Sequence, residues 1–136
     1  MNNFEYRIKV IPHKQQRYNT VGDYQTIEGV TQILVSDMGD WRFEFLVAYH
    51  ELTELALCRK TGVTDKQIDD FDINFEENRT KGDNKSEPGD DPSAPYYHQH
   101  QVSTTQEKMM AKELDVDWDE YVTKCSELIA SYGKKI

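Results

Sequence analysis

The chain has 136 residues, a formal net charge of -9, 30% charged residues and 37% hydrophobic residues. That length implies one domain with a thin core. The acidic balance argues against nucleic acid or an anionic membrane as partner, because both are held by basic patches. The N-terminal stretch MNNFEYRIKV has no apolar signal core and no run approaches bilayer length, so the expected setting is the cytoplasm. Cys58 and Cys125 each fall on an apolar helical face and read as buried free thiols.

Phe4 to Ile11 alternates, with Phe4, Tyr6, Ile8 and Val10 against Glu5, Arg7 and Lys9. This pattern predicts a half-buried strand ended by Pro12. Residues 12–26 are polar, with Gly22-Asp23 as a turn signal and a second strand expected near Tyr24 to Ile27. TQILVS, Thr31 to Ser36, is short and β-branched and predicts a third strand. Asp37 to Asp40 offers a turn and a helix N-cap.

Trp41 to Lys60, WRFEFLVAYHELTELALCRK, predicts the organising helix, ended at Thr61-Gly62. Phe43, Val47 and Leu57 lie on one side of it and Phe45, Leu52 and Ala56 on the other, the pattern of a helix buried nearly all round. Thr64 to Gln67 reads as a capping box opening a helix to about Asn78, with Ile68, Phe71 and Phe75 on one face. Arg79 to Pro95 is rich in Gly, Pro, Asp and Ser and reads first as a solvated connector, second as an active-site loop. Helices are expected over Tyr96 to Leu114 and from Trp118 to Tyr132, the latter with an apolar stripe for core or dimer contact. The expected architecture is therefore α+β: a small N-terminal β-sheet on a buried central helix, followed by about three helices.

The middle turn of the organising helix carries His50, Glu51 and Glu54. Ionisable groups in a buried helix must be paired, neutralised or bound to metal. His50 and Glu54 are four apart and share a face, as two ligands of one metal would. Tyr96-Tyr97-His98-Gln99-His100 offers further imidazoles at the mouth of the long loop. His100 is preferred as third ligand because it shares a helical face with Thr104, Glu107, Ala111 and Leu114; His98 is the fallback. Glu107 could be a further ligand or could orient a histidine. His13, beside a strand end, carries little weight. The competing reading makes His50 and Glu54 a satisfied polar pair in the core, with Glu51 reaching solvent.

His50-Glu51-Leu52-Thr53-Glu54, HExxE, resembles the HExxH helix of the zincin metallopeptidases, with Glu54 in place of the second histidine. The resemblance covers these five residues and the helix around them, and the preceding strand suits a family that sets such a helix beneath a small sheet. It implies a zinc-dependent hydrolase acting on peptide or protein substrates, with His50, Glu54 and His100 as a His2Glu ligand set and Glu51 as general base. Across most of the chain, EFLVAYHELTELALC, DDFDINFE and EPGDDPSAPYYHQHQ resemble small proteins of bacteriophages and prophages. That pattern implies action in an infected bacterial cytoplasm and a host protein as possible target.

Two other functions compete. Glu51-x-x-Glu54 and Asp69-x-x-Asp72 resemble the carboxylate pairs of MazG-like nucleotide pyrophosphohydrolases, which would imply Mg2+ held by hard oxygen ligands. Imidazole ligands favour zinc over magnesium, and the strands do not suit that all-helical fold. The acidic stretch Asp65 to Asp91 could instead serve as an interaction module for a basic partner surface.

Overall fold

The computed structural model describes residues 5–133; Phe4, expected to begin the first strand, lies outside them. The fold is α+β. Three strands, β1 (Glu5–Ile11), β2 (Gly22–Ile27) and β3 (Val30–Ser36), precede four helices, α1 (Trp41–Thr61), α2 (Asp65–Glu77), α3 (Tyr97–Glu113) and α4 (Trp118–Ser131). The sheet order is β1-β3-β2, with β1 parallel and β2 antiparallel to β3. Glu28 and Gly29, at φ 53° and 80°, make the two-residue connection from β2 to β3. Positive φ at both positions matches the turn to the twist of the strands.

The segment between β1 and β2 is fastened by its own polar side chains. His13, buried, meets Ser36 Oγ at 2.8 Å and Asn19 Oδ1 at 3.1 Å, which accounts for it structurally. Gln16 donates to Leu34 O, and Arg17 makes ion pairs with Asp23 and Asp69. Gly22-Asp23 is the start of β2 rather than a turn. A Cβ at Gly22 would lie 2.5 Å from Val47 Cγ1 and 2.9 Å from Glu51 Oε1, so glycine is what lets this strand press against α1.

Asp40 caps α1 by accepting from Arg42 N at 2.9 Å, and Thr64 and Gln67 close the expected capping box on α2. The core joins Ile33, Val35, Leu46, Val47, Leu55, Cys58, Ile68, Tyr96, Ala111 and Tyr121, drawing on the sheet and all four helices. Both cysteines are free; Cys58 is buried and Cys125 half-buried on the α4 stripe, which packs on this core.

Two burial expectations fail. β1 is exposed on both faces over Glu5 to Val10, and α1 is not buried all round, since Trp41, Phe45, Leu52 and Ala56 face outward. The cause is width. α1 lies on β2 and β3 with α3 against its other side, and its cover stops short of β1. Among the described residues no helix is long and apolar enough to cross a membrane.

Candidate metal centre

His50 and Glu54 project from one face of α1 toward α3, which presents His100 and, two turns later, Glu107. All four are buried. His50 Nε2, Glu54 Oε2 and His100 Nδ1 form a triangle with sides of 3.1, 2.9 and 3.2 Å. Tetrahedral zinc, with bonds of about 2.0–2.2 Å, would hold such atoms about 3.3–3.5 Å apart. The triangle therefore needs to widen by only a few tenths of an ångström to take the ion.

The outer contacts fix which lone pairs face inward. His50 Nδ1–H donates to Glu107 Oε1 at 2.7 Å, which leaves Nε2 for the centre. His100 Nε2–H donates to Glu87 Oε2 at 3.1 Å, with Asp90 Oδ1 at 3.4 Å, which leaves Nδ1 for the centre. Tyr24 Oη–H donates to Glu54 Oε1 at 3.1 Å, which frees Oε2. A carboxylate or hydroxyl behind each ligand is the usual way such side chains are oriented. Gly89 makes the His100 position possible: a Cβ there would meet the imidazole Cγ at 2.3 Å.

Three inward-facing acceptors repel unless an electrophile sits among them. Without metal, that electrophile is the proton. Burial alone would lower the pKa of His50, but hydrogen bonds to Glu107 and Glu54 outweigh it and hold the group well above its ordinary value. Burial likewise opposes charge on His100, yet Asp90, Glu54 and Glu87 push it up to about 12. Burial would raise Glu54, but His100 and His50 bring it down to about 2. A dipositive ion replacing two imidazolium protons would leave the local charge unchanged.

Glu51 borders the same cavity of about 170 Å3 as His50, Glu54 and His100. Burial and the neighbouring Glu54 push its pKa well up, the direction in which a carboxylate becomes a stronger base. Glu51 is half-buried, with its carboxylate beside Gly22 at the cavity. Asp72, Tyr18, Tyr96 and Tyr121 line other parts of the cavity. Asp72 accepts from Tyr18 at 3.0 Å and from Tyr96, and its burial raises its pKa to about 7.

Of the expected ligands, His50, Glu54 and His100 come together, and these three could hold a metal. His98 is exposed, since it lies two residues before His100 and so about 200° around α3 from it. Asp69 is committed to Arg17, at 2.8 Å, and does not border the cavity with Glu51, Glu54 and Asp72. Glu87 and Asp90, expected only within the acidic stretch Asp65 to Asp91, and Gly89, with no expected role, lie in the loop whose first expectation is a connector; its Pro88–Asp90 turn instead packs on His100. The spacing of Glu87 and Asp90 ahead of His100 gave no periodic signal, because the loop bridging them is irregular. Tyr24 was visible only as a strand residue. No protein-family model matches the chain, and no curated protein or solved structure matches it either.

Proposed function

We propose that the chain is a zinc-dependent hydrolase of zincin-like type that cleaves peptide bonds, with His50, Glu54 and His100 as ligands and Glu51 as general base. The observation that carries this reading is the convergence of His50 Nε2, Glu54 Oε2 and His100 Nδ1, each backed by a carboxylate or hydroxyl that turns its lone pair inward. Zinc in such a setting lowers the pKa of a bound water toward about 7 and polarises a carbonyl. Glu51, at the same cavity, would take the proton of that water and return it to the leaving amine. Tyr24 and Glu107 would keep Glu54 and His50 in place while charge develops. Imidazoles in the ligand set favour zinc over magnesium, and the engagement of Asp69 with Arg17 disfavours a four-carboxylate magnesium site for nucleotide hydrolysis.

Elemental analysis of the purified, untagged protein tests the reading. The expected result is near-stoichiometric zinc, lost in His50→Ala and kept in Asp69→Ala. Absence of zinc, or magnesium dependence lost in Asp69→Ala and Asp72→Ala, would overturn it. Digestion of a peptide library with the zinc-loaded protein then tests the peptide-bond assignment.

A further inference from the structure

The side of α1 turned away from the metal centre joins an uncovered part of the sheet. Tyr6, Ile8 and Val10 of β1 pair in register with Thr31, Ile33 and Val35 of β3 and so share their face. Ile33 and Val35 are fully buried beneath α1, whereas Tyr6, Ile8 and Val10 are 50%, 54% and 50% exposed. Arg59, near the end of α1, reaches Thr31 Oγ1 at 2.8 Å and Tyr6 Oη at 3.2 Å, so its side of the helix is the one that overlooks β1. At about 100° per residue, Leu52, Phe45 and Trp41 lie within about 40° of Arg59 around the axis. All three are exposed, Trp41 by 67%. The result is an apolar floor of Tyr6, Ile8 and Val10 beside an apolar wall of Leu52, Phe45 and Trp41. Among the described residues the outer edge of β1 has no strand partner, so its backbone donors and acceptors are open.

We propose that this face binds an extended segment of another protein, added as a strand to the free edge of β1. The bound segment is apolar at the alternate positions that share the face of Tyr6, Ile8 and Val10, and acidic at the positions between. The acidic preference follows from the other face of β1, which carries Arg7 and Lys9. Glu5 answers Arg7 in part, at 2.6 Å. A second copy of this chain fits poorly. The antiparallel self-pairing that overlaps β1 over its full length sets Ile8 opposite Ile8 and Arg7 opposite Lys9 twice, a like-charge arrangement that destabilises a ladder. Two chains of charge -9 also repel. Main-chain pairing with side-chain pockets at alternate residues is an established mode of peptide capture.

The test uses two dye-labelled, end-capped seven-residue peptides on the full chain, one alternating glutamate with valine and phenylalanine, the other with lysine in place of glutamate. Fluorescence anisotropy is expected to show the acidic peptide binding at least about ten-fold more tightly. Hydrogen exchange should show it protecting amides in residues 5–11. Ile8→Asp and, independently, Trp41→Ala should weaken binding at least about ten-fold with the melting temperature unchanged, and Arg7→Glu with Lys9→Glu should reverse the peptide preference. Equal or absent binding of the two peptides, protection confined to other elements, or a wild-type dimer by sedimentation that Ile8→Asp dissociates would each overturn the proposal.

Discussion

The two long flanks of α1 depart from a helix built only to fold, and in opposite directions. One flank buries His50 and Glu54 against α3; the other leaves Trp41, Phe45 and Leu52 outside. Burying ionisable groups costs free energy unless every charge is paired, and here three carboxylates, a tyrosine and two imidazoles close the set. Leaving large apolar groups in water forgoes roughly 25 cal/mol per Å2 of the surface that could have been covered. The site flank draws its order from polar partners on α3 and the loop before it. The open flank has partners on one side only, since the sheet is too wide for α1 to cap it to its edge. On the readings proposed above, the first departure serves an ion and the second a chain.

The largest expected effect lies on the buried flank. Glu51→Gln keeps size and shape but cannot accept a proton. It is expected to retain zinc and lose two to four orders of magnitude in hydrolysis (~10^2–10^4), measured on any peptide the wild type cleaves. Loss of metal in this variant would make Glu51 a ligand and break the assignment of roles.

Truncation measures the contrast directly. Leu55→Ala, at a fully buried position, should cost about 2–5 kcal/mol in denaturant unfolding. Leu52→Ala on the open flank should cost less than about 1 kcal/mol. Equal costs would mean that the outer flank is covered in solution by the protein itself.

Acid–base behaviour separates the two sides of α1 again, because the shifted groups line the cavity on its buried side, Glu54 from α1 and Asp72 from α2. Asp72 holds its proton to about pH 7 when folded and loses it near 3.8 when unfolded. The folded state therefore binds more protons between these values, and the stability of the chelator-treated protein falls as pH rises from about 4 to about 7. Asp72→Asn should remove up to about 3 kcal/mol of that decline. Glu54 acts in a separate window: its stabilisation is complete above its unfolded value of 4.5 and is lost as pH falls toward about 2. An Asp72→Asn stability profile parallel to wild type would show that Asp72 ionises freely in the folded state.

The smallest expected effect distinguishes two neighbouring imidazoles. His100→Ala should weaken zinc binding one to two orders of magnitude (~10–100-fold) more than His98→Ala, followed by competition with a chromogenic chelator. Equal and negligible losses would leave the centre without its third ligand.

Local sequence settled a good deal. Alternation, β-branched runs, Asp40, the Thr64–Gln67 box and Gly62 place three strands and four helices nearly to the residue, because these signals act within one or two turns of chain. The four-residue spacing of His50 and Glu54 fixes their shared face wherever the helix goes, and the seven-residue spacing of His100 and Glu107 does the same on α3. The packing of α3 on α1 decided the rest. It selected His100 over His98 by the side that faces inward, set Glu107 behind His50, and drew Glu87 and Asp90 from an irregular loop onto His100. It also decided that β1 stays uncovered, since alternation records a preference for burial but not whether a neighbour is wide enough to supply it.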